Sequence, residues 1–250
     1  MIKLNYPGIE TNSIVGFVEM PQNSYIQSMN DTYVGIPANF MVLIFLLLVS
    51  CRQNTLGVFE EFQDIGNPAL PGNTVYDSKT DSYTLTGSGY NIWFDRDEFY
   101  FLYKEVNGDF SLTADMELIG LGVDPHRKVG IMVRSSKAAD AAHMTATVHG
   151  DGLTVMQWRR EVGMEMRDPE DEIFAEDGDF QTIKLERKGN EYTMWAAKAG
   201  GDLQRIGSQI LESIPEDALL GLFICSHNPD VLEQAIFSQV NLSKSNNVGI

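Results

Sequence analysis

Cysteine is nearly absent. The 250 residues hold two, Cys51 and Cys225, too few for a disulfide framework, and no CxxC or Cys/His spacing suited to zinc occurs. Basic residues are also scarce, 18 against 35 acidic, for a formal net charge of -17. Electrostatic attraction to nucleic acid or to anionic lipid is therefore excluded, and an acidic ligand requires basic residues focused locally. No Ser-His-Asp constellation, phosphate-binding loop or internal repeat is present. Apolar runs long enough to cross a bilayer, about 20 residues, are missing too.

The longest apolar run is residues 40–49, followed by Ser50-Cys51. Its length suits the hydrophobic region of a signal peptide, and Leu48-Val49-Ser50-Cys51 resembles the bacterial lipobox. That predicts a signal segment over 1–50, a lipidated tether over 51–56 and a sandwich domain over 57–245. Lipid on Cys51 would hold the chain to a membrane in the bacterial cell envelope, facing the periplasm or the outer surface. Lys3 is the only basic residue before Cys51, so translation is expected to begin nearer Met29 or Met41.

Beyond residue 57 the chain reads as short strands separated by Gly, Pro and Asn turns, without helical periods between them. Strands are predicted over 57–62, 74–77, 82–86, 91–94, 99–106, 109–118, 129–134, 141–149, 153–160, 180–188, 191–198, 219–226 and 234–242. This pattern argues an all-β, antiparallel two-sheet sandwich. Short helices are expected only over 136–142 and 215–219. Residues 168–179 (DPEDEIFAEDGD) read as a solvated acidic loop; no cofactor is implied, apart from a structural calcium ion there, although the spacing is not that of an EF-hand.

The most informative stretch is HMTATVHGDGLTVMQWRR, residues 143–160, a β-hairpin turning at Gly150-Asp151-Gly152. Met144, Ala146 and Val148 alternate with His143, Thr145, Thr147 and His149. A three-residue loop with a left-handed glycine places Val155, Gln157 and Arg159 beside the histidines and sends Met156 and Trp158 to the core, whereas a two-residue loop would swap the two sets. The three-residue loop is preferred because it gives His143, Gln157 and Arg159 one common face. Likewise Val129, Ile131 and Val133 face inward, while Lys128 and Arg134 share the other face. In the strand at 219–226, Leu220, Leu222 and Ile224 oppose Phe223 and Cys225, so both faces are covered and Cys225 is buried.

Arg134, His143, Thr145, Thr147, His149, Gln157 and Arg159 thus form one polar face, expected to be exposed to solvent. Such groups suit the hydroxyls of a sugar, with Tyr90 and Trp93 from a Gly-rich loop as an aromatic platform. An exposed Arg159 would matter little to stability. As an enzyme, the same face would act as a polysaccharide lyase, with Arg134, Gln157 and Arg159 neutralising a uronate and His143 moving the proton. The tyrosine-lysine motif of alginate lyase-like jelly rolls is missing. Asp115 and Glu117 project together from one strand, but the Glu-x-Asp-x-x-Glu motif of laminarinase-like glycosidases is absent.

Several stretches carry a resemblance: Gly87-Ser-Gly-Tyr-Asn-Ile-Trp93, Asn107-Gly-Asp-Phe110, His126-Arg-Lys-Val-Gly-Ile-Met-Val-Arg134, His149-Gly-Asp-Gly-Leu153, Gln157-Trp-Arg159 and Gly221-Leu-Phe-Ile-Cys-Ser-His227. Through them the chain resembles a bacterial family of unknown function with a concanavalin A-like jelly-roll fold, loosely labelled Tol biopolymer-transport-like. The resemblance implies two sheets with one concave face and no established activity. Three functional classes follow: a glycan-binding lipoprotein first, a polysaccharide-degrading lyase or glycosidase second, a protein-interaction module third.

Overall fold

A computed structural model describes residues 56–244. The expectations for the signal segment and for Cys51 lie outside the described residues. Two seven-stranded antiparallel sheets make up the domain. The first runs β1 (Glu61–Ile65), β6 (Phe99–Asn107), β15 (Asp217–Cys225), β8 (Lys128–Arg134), β9 (His143–His149), β10 (Thr154–Arg159), β11 (Glu172–Phe174). The second runs β14 (Gln204–Ile210), β13 (Glu191–Ala197), β12 (Thr182–Lys188), β7 (Phe110–Leu118), β16 (Glu233–Lys244), β3 (Ser82–Gly87), β2 (Asn73–Asp77). A small hairpin, β4 (Ile92–Trp93) with β5 (Arg96–Asp97), completes the set. This is the two-sheet antiparallel sandwich expected from the turn-punctuated sequence, a jelly roll as the resemblance implies.

Each sheet turns one apolar face toward the other. Leu112 and Ala114 of β7 meet Val129, Ile131 and Val133 of β8, Met144 and Ala146 of β9, and Leu220, Leu222 and Ile224 of β15 in the main core. The period of two dictates this, because alternate side chains leave a pleated strand on opposite sides. Trp158 and Met156 join the same core, as the hairpin reading requires. Its turn is the three-residue one: Arg159 pairs with His143 and Gln157 with Thr145, and Gly152 has φ +90°, a conformation that a side chain rarely adopts.

A second apolar cluster lies on the outer face of the first sheet. Ile65, Phe99, Phe101, Met132, Phe223 and Cys225 pack there with Ile92, contributed by the small hairpin. Cys225 is fully buried, its Sγ donating to the carbonyls of Gly89 and Glu98, and burial pushes its thiol up to about 11. It is therefore an unreactive thiol.

No helix forms among the described residues. Residues 217–219 instead pair with β6 as the start of β15, and Arg187 donates to the carbonyls of Pro215 and Ile214. The carbonyls of 136–142 are likewise engaged elsewhere: Ser136 and Ala138 accept from Arg134, Ala139 from the Asp97 amide, and Ala141 from Arg159. The acidic segment also departs from expectation. Within it β11 pairs with β10, and Asp171 is buried, forming ion pairs with Arg160 at 2.7 Å and Arg167 at 3.8 Å. Two arginines outside the segment turn part of a run that reads as solvated into a fixed sheet edge.

Candidate functional site

Register places Arg134, His143 and Arg159 side by side across β8, β9 and β10. They share a face, as the alternation predicts, but that face is not open. Residues 88–98 cross it, and Asp97 descends onto the three side chains. Arg159 grips the Asp97 carboxylate at 2.6 and 2.8 Å, Arg134 approaches at 3.3 Å and His143 Nδ1 at 3.4 Å, all with no exposure. Burial alone would raise the Asp97 pKa; the permanently charged Arg159 and Arg134 guanidinium groups outweigh it and hold the carboxyl below its usual range. Burial drives His143 down to about 3, so the imidazole is neutral at ordinary pH.

Arg134, His143 and Arg159 therefore do not sit on a solvent-facing sheet. They fasten the crossing segment, and Arg159 is a residue of the buried structure rather than a surface donor. Alternation assigns a side chain to a face; it carries no information about whether a segment 37 to 62 residues earlier covers that face. Thr145, Thr147 and Gln157 continue the row and are buried as well. Thr145 donates to the Gln157 carbonyl at 3.2 Å, and Gln157 Nε2 to Glu172 at 3.2 Å. Trp93 is half-buried in β4, whereas Tyr90 is 56% exposed.

The polar face reaches the surface at the end occupied by His149. Three of the chain's four histidines converge there. His149 ends β9, directly across from Lys128 at the start of β8. His126 comes from the loop before β8 and His227 from the loop after β15. The His126 and His149 Nδ1 atoms are 3.4 Å apart, and the His126 ring lies 5.6 Å from that of His227. Tyr90 stacks on His227 at 6.4 Å and 16°. Beneath them Lys128 Nζ donates to Asn91 Oδ1 at 2.8 Å. His227 has φ +58°, an uncommon conformation for a residue with a side chain.

Burial, then the charge of Lys128, lowers His149 to about 2. Lys128 is itself lowered by burial, and His227 by burial and then by Lys128. Asp124 lies 3.4 Å from His227 Nδ1 and accepts from the His126 amide at 2.7 Å. Two depressions flank the cluster. One, of about 650 Å³, is lined by Arg127, Val148, His149, Asp151 and Phe180 among others. The other, of about 290 Å³, is lined by Tyr90, Asn91, Phe94, Asp95, Arg96 and Glu98. Among the described residues no group of three or more His, Cys, Asp or Glu is arranged to hold a metal ion.

Of the residues expected to bind a ligand, the structure thus brings Tyr90 and His149 to one accessible place. Sequence reasoning missed Asn91, His126 and His227 and gave Lys128 only a face. A signal was present: histidine is scarce in this chain, and His126, His149 and His227 each lie within two residues of a strand end. Asp115 and Glu117 share a face as predicted, but on the second sheet, where Asp115 accepts from Thr182 at 2.5 Å.

No family model matches the chain, and no curated protein is significantly similar to it. Solved structures do resemble it. A functionally unknown protein from Saccharomyces cerevisiae is 13% identical, with a TM-score of 0.54, the match covering 73% of this chain and 95% of that one. At that identity the likeness is one of fold. The carbohydrate-binding module CBM66 from Bacillus subtilis follows at 13% identity and a TM-score of 0.46, over 75% of this chain and 98% of that one. A family 7 alginate lyase is 8% identical with a TM-score of 0.48, over 71% and 83% of the two chains.

Proposed function

We propose that this chain is a glycan-binding module whose site is the rim of Tyr90, His126 and His227 above Lys128 and His149. One observation carries the reading: an exposed tyrosine ring, held by His227, stands beside hydrogen-bonding groups at the one open end of an otherwise covered polar face. A pyranose presents an apolar C–H face to an aromatic ring and hydroxyls to neighbouring polar groups. Arg134, His143 and Arg159 support the site by holding residues 88–98, which carry Tyr90 and Asn91. Screening the full chain on a glycan array tests the reading. Tyr90→Ala should weaken any glycan so found by roughly 1 kcal/mol and leave the melting temperature in place. A glycan held equally well without the ring would sink this assignment.

We also propose that lipid on Cys51 presents the domain from a bacterial envelope membrane. The Leu-Val-Ser-Cys sequence after an apolar run supports this. In a bacterial host the full chain should partition into detergent and incorporate labelled palmitate, and Cys51→Ala should do neither. Equal partitioning of the two would refute the anchor.

A further inference from the structure

Lys128 is the buried cation of the histidine cluster, and no carboxylate touches it. Lys128 is 5% exposed, and its Nζ makes one hydrogen bond, to Asn91 Oδ1, an oxygen that already accepts from the Ile92 amide. Among the described residues no carboxylate lies within ion-pair distance of it. The other buried cations are compensated: Arg127 holds Glu233 at 2.7 Å, Arg134 and Arg159 share Asp97, and Arg187 is capped by backbone carbonyls. A buried ammonium with two unmet N–H groups is costly unless something else pairs with it. Beside it, His149 Nε2 is buried without a partner. Asp124, held by His227 and the His126 amide at the outer side, and Asp97 both act on Lys128 without touching it.

We propose that the cluster binds an oxyanion carried by a sugar, either a uronate carboxylate or a sulfate ester, with Lys128 and His149 as its donors. The inference rests on the glycan-binding reading and narrows it to acidic glycans. The tautomers agree. With the proton of His149 on Nε2, its Nδ1 accepts from His126 Nδ1–H across the observed 3.4 Å. Nε2–H and two N–H groups of Lys128 are then left for the anion, and charge-assisted bonds of this kind are the strong ones. His126 and Tyr90, both exposed, stand at the outer side of the cluster. In a chain of net charge -17 this is the local basic focus that an acidic ligand requires.

The test titrates the full chain with glucuronate, glucose 6-sulfate and glucose, following the imidazole proton resonances by NMR. At least one of the two anions should shift the His126 and His149 signals saturably, at concentrations at least tenfold below glucose, and the better anion identifies the source. Lys128→Met, and Lys128→Gln as a second variant, should abolish the preference while keeping or raising the melting temperature. An equal response to glucose and to both anions, no response to any of them, or a preference that survives both substitutions would each overturn the oxyanion site. Should the array hold no glycan while the anions still act through Lys128, the oxyanion site stands and the wider glycan reading falls.

Discussion

Asp97→Ala is expected to destabilise the domain by about 3–5 kcal/mol, the range for removing one partner of a buried ion pair. The carboxylate is fully buried and answers two guanidinium groups, Arg159 at 2.6 Å and Arg134 at 3.3 Å, neither with any exposure. Without it two like charges face each other in a dry interior, and the segment 88–98 loses its anchor. Arg159→Ala should behave similarly, since it strands Asp97 with Arg134 alone. Urea unfolding of both variants, with tyrosine and tryptophan fluorescence as the readout, measures the loss. A change below about 1 kcal/mol in both would show that water reaches the cluster and that residues 88–98 do not close over it.

Acid should unfold the protein well above the pH at which its carboxylates titrate. His143 and His149 sit at about 3 and about 2 in the folded chain, lowered chiefly by burial, against an ordinary 6.5. Between those limits the unfolded chain binds the protons and the folded chain does not, so stability rises with pH. Their contribution is complete above about pH 6.5. It falls by about 1 kcal/mol per pH unit for each histidine as the medium is acidified. Asp97, held below its usual range, adds a loss in the same direction only below about pH 4. Two units of acidification below 6.5 should thus remove several kcal/mol, a large part of a typical domain's stability. The urea midpoint should be flat from pH 8 to 7 and drop steeply toward pH 4.5, less so in His143→Gln. A flat profile throughout would mean that both imidazoles are solvated.

The alternation of residues 143–149 was enough to name which side chains of that arm meet the core, and Gly150-Asp151-Gly152 was enough to place the turn, while the pairing of Arg159 with His143 decided between the two- and three-residue loops. Cys225 could be placed inside because apolar residues occupy both phases of its strand. The two expected helices failed for a reason no window of sequence contains: residues 217–219 pair with β6 as the start of β15, and residues 136–141 are tied by their carbonyls to Arg134, Asp97 and Arg159. The candidate site was half legible. Tyr90 and His149 stood out as types and positions, but Asn91, Lys128, His126 and His227 join them only because the ends of β8, β9 and β15 and the loop before β4 meet.

By itself, then, the sequence determined what the pleat of a strand determines: which residues lie on which face, where the chain turns, and that two sheets must close on one core. These are consequences of local backbone geometry, repeated every two residues. Only the tertiary structure decided what covers each face. Asp97 is 37 residues from Arg134 and 62 from Arg159, and nothing near any of them records that the three will meet. That long-range closure turned a polar ladder into a buried ionic anchor and left Lys128, at its open end, without a carboxylate in ion-pair contact.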